Sequence, residues 1–221
     1  MIRALDKVSD IKRYRISSIE PNLLTTEIID QVAQSEKFVP HFHVPLQSGS
    51  EKILKSMRRR YQRDLYAQKV DLIKKVMPHC CIGVDVIAGF PGETHEDFMD
   101  TYHFINELDI SYLHVFTYSE RANTPAADMG QVVPMEIRRE RNEMLRILSQ
   151  KKRLSFTEPF MGTVRKVLFE NARENDIMYG FTDNYIKVSL PKNDNLLNTI
   201  ADVHLQSWDS KFETVSSHLA P

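Results

Sequence analysis

VDVIAGFPGET, Val84 to Thr94, decides how this chain is read. Val84 and Val86 alternate with Asp85 and Ile87, the period-two pattern of a strand. Gly89, Pro91 and Gly92 then let the backbone turn sharply and approach a ligand closely. Thr94 stands three positions before Asp97, the spacing of a capping box, and Phe98, Tyr102, Ile105 and Leu108 mark one face of the helix beyond it. A strand that runs through a glycine turn into a helix is where α/β proteins hold small ligands.

Working outward, the same strand-then-helix order occurs three more times. RYRISSIEP (Arg13 to Pro21) precedes a helix that starts near Thr25 or Thr26, with Ile28, Ile29 and Val32 along it. HFHVPLQSGS (His41 to Ser50) precedes a helix expected from about Asp64, whose Tyr66, Val70, Ile73 and Met77 recur at helical spacing before Pro78. YLHVFTYS (Tyr112 to Ser119) precedes a long charged helix from about Met135. Repeated units of this kind imply a parallel sheet, open or closed into a barrel. One strand face is apolar: Phe42, Val44 and Leu46; Val84 and Val86; Leu113 and Val115. The other carries Arg15 and Ser17, His41, His43 and Gln47, Asp85, then His114 and Tyr118. Parallel strands covered by packing alone are apolar on both faces, so a polar inner face points to a curved sheet around a wet interior.

After Phe156 the texture changes. Short strands and turn residues at hairpin spacing run from Met161 to Lys192, with another run at Thr199 to Trp208, and suggest a small antiparallel barrel of about five strands. The expected division is therefore 1–156 and 157–221, with Lys211 to Pro221 a loose tail. The 221 residues are 42% hydrophobic and 27% charged with a net charge of −1, so any nucleic-acid footprint must be local. The amino-terminal stretch reads as no signal peptide, no stretch reads as a membrane span, and the only cysteines, Cys80 and Cys81, are neighbours. A reducing cytoplasm is the expected setting.

Charge is concentrated locally. Lys52, Lys55, Arg58, Arg59, Arg60 and Arg63 follow one another with no acid between Lys52 and Arg63. Near a cavity mouth such a run contacts phosphates; the plainer reading is a solvated face. The long helix adds net +4 between Glu136 and Arg153, whereas Thr157 to Pro221 is net −3, with six Lys/Arg against nine Asp/Glu.

RISSIEPNLL (Arg15 to Leu24), PHFHVPLQSGSEKILKSMRRRY (Pro40 to Tyr61), IGVDVIAGFPGET (Ile82 to Thr94) and SYLHVFTYSERANTPAA (Ser111 to Ala127) together resemble the radical SAM methylthiotransferases. The wording is most similar to the branch that modifies N6-threonylcarbamoyladenosine beside the tRNA anticodon, rather than the isopentenyladenosine or ribosomal-protein branches. GFTDNYIKV (Gly180 to Val188) resembles the TRAM domain, a small RNA-binding barrel. The resemblance implies a partial radical SAM, TIM-like βα barrel followed by that small barrel. It implies S-adenosylmethionine as cofactor, with two 4Fe-4S clusters in the full-length enzyme, tRNA as partner, and a methylthio group delivered to adenine carbon 2 by radical chemistry.

By the same resemblance Gln47, Ser48 and Ser50 face the ribose and amino-acid end of the nucleoside; the plainer reading of the two serines is a helix cap. Gly89 and Pro91 allow close backbone approach, Ile87 contacts adenine, and Phe116 and Tyr118 close the edge. Glu20 reaches substrate or cofactor polar groups, or is a solvated loop carboxylate. Arg58, Arg59 and Arg60 meet RNA, as do Arg165, Lys166 and Lys187, with Tyr179, Phe181 or Tyr185 for stacking; the plainer reading is that these aromatics fill the barrel core. The family's CxxxCxxC loop is missing here, and Cys80 and Cys81 have the wrong spacing, so no metal ligand is expected and the chain alone is expected to be inactive. The chain begins about where the third barrel strand of the family begins, which implies an open edge prone to self-association. Two other readings stay open: a non-catalytic RNA-binding module, and a metal-dependent hydrolase built on His41-x-His43 with Asp85 and His114.

Overall fold

The computed structural model describes residues 1–170, 176–211 and 213–220. Four parallel strands, β1 (Tyr14–Ile16), β2 (Phe38–His43), β3 (Cys81–Ala88) and β4 (Tyr112–Thr117), lie in the order β1-β2-β3-β4. Around them run α1 (Ile2–Leu5), α2 (Thr26–Gln34), α3 (Glu51–Ser56), α4 (Arg63–Val76), α5 (His95–Glu107) and α6 (Met135–Thr157). On β3 the alternation separates the faces: Ile82, Val84 and Val86 are completely buried, while Asp85 and Ile87 are half-buried. The buried set packs with Ile29 and Val32 of α2, Tyr66, Val70 and Ile73 of α4, Phe98 and Ile105 of α5, and Leu145 and Leu148 of α6. One face of the sheet is thus the core, and the other carries the polar residues.

Helix starts follow side-chain capping. The Thr25 hydroxyl accepts the Ile28 N–H at the start of α2, and Thr94 and Asp97 form a complete capping box at α5. Between β2 and β3 the structure differs from the expected single helix. Ser50 caps a short extra helix, α3, held by buried Ile53 and Leu54, and only then does α4 begin, at Arg63.

The rest of the chain closes on itself. β5 (Val164–Phe169), β6 (Ile177–Thr182), β7 (Lys187–Pro191), β8 (Ile200–Asp209) and β9 (Thr214–Leu219) form a barrel in the order β5-β6-β7-β9-β8. All its seams are antiparallel except β7–β9, which is parallel. Val167, Phe169, Met178, Val188, Val203, Leu205 and Val215 fill it. The expected loose tail is corrected here: β9 pairs with both β7 and β8, and without it the barrel has no closing strand.

The barrel plugs the amino-terminal end of the parallel sheet. Arg13, just before β1, donates to the carbonyls of Phe181 (3.2 Å) and Lys166 (2.8 Å). Asn184 donates to the His79 carbonyl just before β3, and the Tyr185 ring lies 4.2 Å from that of His41. The carboxyl ends of the strands stay open.

Candidate functional site

At those open ends lies a cavity of about 510 Å³, lined by Gln47, Asp85, Ile87, Phe116, Tyr118 and Arg121 among others. Each residue arrives there through the sheet. Gln47 sits beyond β2 at φ 70°, yet its N–H reaches the Asp85 carbonyl and its carbonyl accepts the Ile87 N–H, so it extends the β2–β3 ladder past the strand end. Ile87 and Phe116 are register partners across β3 and β4, and Phe116 is 53% exposed. Aliphatic and aromatic walls with an amide, a carboxylate and a guanidinium at the edges suit a nucleoside carrying a charged tail. A second recess of about 510 Å³ shares Ile87, Tyr118, Thr124 and Ala126 with it, and adds Met57, Arg58, Arg59, Phe90 and Met129.

The turn after β3 is rigid for reasons that the motif alone does not display. Gly89 holds φ +81°, and a Cβ there would lie 2.3 Å from Cγ of Arg138. Arg138, itself buried, donates to the carbonyls of Val133 and Tyr118 and to the Glu120 carboxylate (2.7, 2.9 and 2.6 Å). Glu93 accepts the Gly89 N–H at 2.7 Å and pairs with Arg141 at 2.6 Å, both side chains being nearly inaccessible. Burial pushes the Glu93 carboxyl up, against the pull of the Gly89 N–H and Arg141. Asp97 behaves oppositely. Burial would raise it, but hydrogen bonds from Lys52, from the Thr94 N–H and hydroxyl, and from Ser50 hold it down to about 2.

Four of the expected site residues lie outside the lining of both cavities. Ser48 and Ser50 are 0% and 2% exposed; the Ser48 hydroxyl bonds to Thr101, and that of Ser50 caps α3 and donates to Asp97. They fasten the PLQSGS turn and present no hydroxyl to the cavity. Gly89 and Pro91 border neither cavity. The close approach that Gly89 allows is by Arg138, and the residue of the turn that reaches a cavity is Phe90.

The basic run forms a ridge beside the recess. α3 ends in a Schellman motif: the Arg58 N–H meets the Lys55 carbonyl and the Arg59 N–H the Leu54 carbonyl, with Arg58 at φ 55° where glycine is usual. Lys55, Arg58 and Arg60 are exposed. Lys52 is tied to Asp97 at 2.6 Å, and Arg59 lies 3.6 Å from Glu20, so Glu20 faces the ridge.

On the barrel, Phe181 and Tyr185 stack on each other at 4.4 Å, Tyr185 leans on His41, and Arg15 lies over it at 4.7 Å. Both rings border the seam cavity against the sheet. Arg165 pairs with Asp183 at 2.8 Å, Lys187 lies over the Tyr179 ring, and Lys166 is exposed. The seam encloses a separate cavity of about 390 Å³, bordered by Arg15, His43, His114, Arg153, Tyr185 and Trp208.

The histidines do not assemble as hydrolase ligands. His41 bonds to the Tyr112 hydroxyl and is held near 3, first by burial and then by Arg15 and His43. His43 pairs with Asp85 at 2.8 Å, and His114 stacks on His43. Among the described residues no group of three or more ligating side chains is placed to hold a metal. Cys80 and Cys81 do not fit an iron-sulfur cluster either. They are buried at the start of β3, remote from the open strand ends, and burial raises both thiols, that of Cys81 to about 12, so they stay neutral.

The motif reading passed over Arg121, Glu93, Arg138 and Arg141. Arg121 was visible only as part of YSER, and the other three as charges on helical or turn positions; their burial is a tertiary fact. Among the described residues, no helix is long and apolar enough to cross a membrane.

Residues 1–105 match the radical SAM superfamily. The threonylcarbamoyladenosine tRNA methylthiotransferase MtaB of Bacillus subtilis is 39% identical over 203 residues, 90% of this chain and 45% of the relative. MtaB of Rickettsia prowazekii is 41% identical over 190 residues, 86% of this chain and 44% of the relative. The tRNA-2-methylthio-N(6)-dimethylallyladenosine synthase of Desulfitobacterium hafniense is 32% identical over 212 residues, 95% of this chain and 47% of the relative. The chain therefore spans about half the length of these curated relatives. Its parallel sheet with helices on one face, its cavity at the carboxyl strand ends and these likenesses agree: the chain belongs to the radical SAM superfamily, in the methylthiotransferase family.

Proposed function

We propose that this chain is the nucleoside-holding and RNA-docking portion of an enzyme that methylthiolates N6-threonylcarbamoyladenosine in tRNA, beside the anticodon, in a cytoplasmic setting. The observation that carries the reading is the cavity at the ends of β2, β3 and β4 with the ridge of Lys55, Arg58 and Arg60 next to it. It is supported by 39–41% identity to relatives named for that nucleoside.

Gln47, Ile87, Phe116 and Tyr118 would hold S-adenosylmethionine, which supplies radical chemistry when bound next to a reduced cluster. Ile87 and Phe116 exclude water from the adenine faces, while Gln47, Asp85 and Arg121 orient the polar end. Arg138 and the Glu93–Arg141 pair position this wall by locking the turn behind it. With two neutral, buried thiols the chain supplies no cluster ligand, and by itself it is inactive.

The test is titration of this chain with a tRNA anticodon hairpin by fluorescence anisotropy across salt. Binding that weakens steeply with salt supports docking through the ridge, since each phosphate contact adds close to one unit to the log–log slope. Salt-insensitive binding, or none, would remove RNA docking from this half.

A further inference from the structure

The recess beside the nucleoside cavity has a chemistry of its own. Its floor is apolar, with Met57, Ile87, Phe90 and Met129, and two arginines, Arg58 and Arg59, stand at one side. Among the described residues that line it, none is acidic. Two of its lining residues carry buried polar atoms without a hydrogen-bond partner, Nε of Arg59 and the hydroxyl of Tyr118. Buried polar groups are nearly always paired, so two orphans on residues of one recess favour a ligand that turns these side chains toward it and satisfies both. Among the described residues the one acid that the arginines meet is Glu20, 3.6 Å from Nη1 of Arg59 and with its own side chain 46% exposed. A contact of that length is readily exchanged for a better-placed oxyanion.

We propose that this recess receives the N6-substituent of the substrate adenosine and recognises an amino-acid carboxylate on it through Arg58 and Arg59, with Tyr118 bonding the polar linker. The proposal rests on the methylthiotransferase reading above and deepens it. The recess borders the cofactor cavity at Ile87 and Tyr118, so a substrate whose N6-substituent enters the recess lies against the cofactor and leaves the cofactor's own cavity free. A threonylcarbamoyl group offers a carboxylate and a urea to the two orphans and a methyl group to the floor. A dimethylallyl group fills the floor and leaves both orphans unpaired, and a site built to hydrogen-bond discriminates strongly against a ligand that lacks the partner. Arg58 and Arg59 are thereby specificity residues.

A carboxylate here has a second possible source, the amino-acid end of the S-adenosylmethionine cofactor, and the ridge also attracts phosphates. The experiment separates all three. The 221-residue chain is titrated with two anticodon hairpins of one sequence, carrying either adenosine or N6-threonylcarbamoyladenosine, with and without excess S-adenosylhomocysteine. The phosphates are identical, so a preference for the modified hairpin reads the substituent. The expected preference is about tenfold, the worth of one charge-assisted contact. It persists with S-adenosylhomocysteine present, and it is lost in Arg58→Gln/Arg59→Gln, whose fold is checked by its circular-dichroism melt. Tyr118→Phe keeps the ring and weakens the preference in part. Equal binding of the two hairpins leaves RNA docking standing and overturns the proposal alone. Loss of the preference on adding S-adenosylhomocysteine assigns the arginines to the cofactor and overturns it as well. Failure to bind either hairpin overturns the RNA reading and this inference with it.

Discussion

Arg58 separates two roles that usually coincide in one residue, cation and helix terminator. Its left-handed backbone closes α3, a position that glycine fills without strain. Arg58→Gly should therefore leave stability within about 1 kcal/mol while weakening hairpin binding and lowering its salt slope; a parallel fall in melting temperature would mean the side chain matters for packing instead. The buried Glu93–Arg141 pair behaves differently. Arg141→Met strands a carboxylate and should cost about 3–5 kcal/mol in urea denaturation near neutral pH. Because burial already raises Glu93, this cost disappears as the carboxyl protonates, so the variant should come closer to the parent chain at acidic pH than at pH 8. Asp97 has the opposite sign. Its carboxyl is held at about 2, below the usual carboxylate value, so its contribution is complete above that usual value and fades as pH falls toward 2. Asp97→Asn should flatten that acid limb, a difference readable by following unfolding between pH 5 and 2.

At the scale of elements, what was legible depended on length and periodicity. β3 and α5 were readable because Val84 and Val86 alternate cleanly and Thr94 and Asp97 sit at capping distance; the structure contains both features. α3 was hidden because a helix of six residues, Glu51–Ser56, is too short to show a period, and its cations drew attention as a charge run. β9 was hidden because TVSSHL has short polar residues on its outer positions, and its strand character comes from pairing with β7 and β8. In the site, strand phase sets Ile87 and Tyr118 opposite the apolar face, but the cavity roles of Ile87, Phe116 and Tyr118 come from the resemblance; for Ser48 and Ser50 the cap reading was open in the sequence, and their partners Thr101 and Asp97 are tertiary facts. A chain ending before Thr214 should lose hydrogen-exchange protection throughout β5 to β8 while β3 and β4 keep theirs; retained protection in β5 to β8 would show that four strands suffice.

In the whole molecule, the sheet and the barrel meet through a seam tied by Arg13 to two barrel carbonyls, Asn184 to the His79 carbonyl, and Glu213 to Gln150 and Arg153. Tyr185 is the ring that packs across it, against His41 and under Arg15, so Tyr185→Ala should loosen the seam and separate the sheet and barrel transitions in calorimetry. Among the described residues β1 pairs only with β2, and its other edge is open. Sedimentation should accordingly show concentration-dependent self-association, while a single monomeric boundary at high concentration would argue that the edge is protected. The cavity under the barrel and the open cavity lie back to back: His43 borders the first, Asp85 the second, and the two side chains pair at 2.8 Å. That pair is a party wall, and whatever draws Asp85 away in one room leaves His43 unpartnered by it in the other.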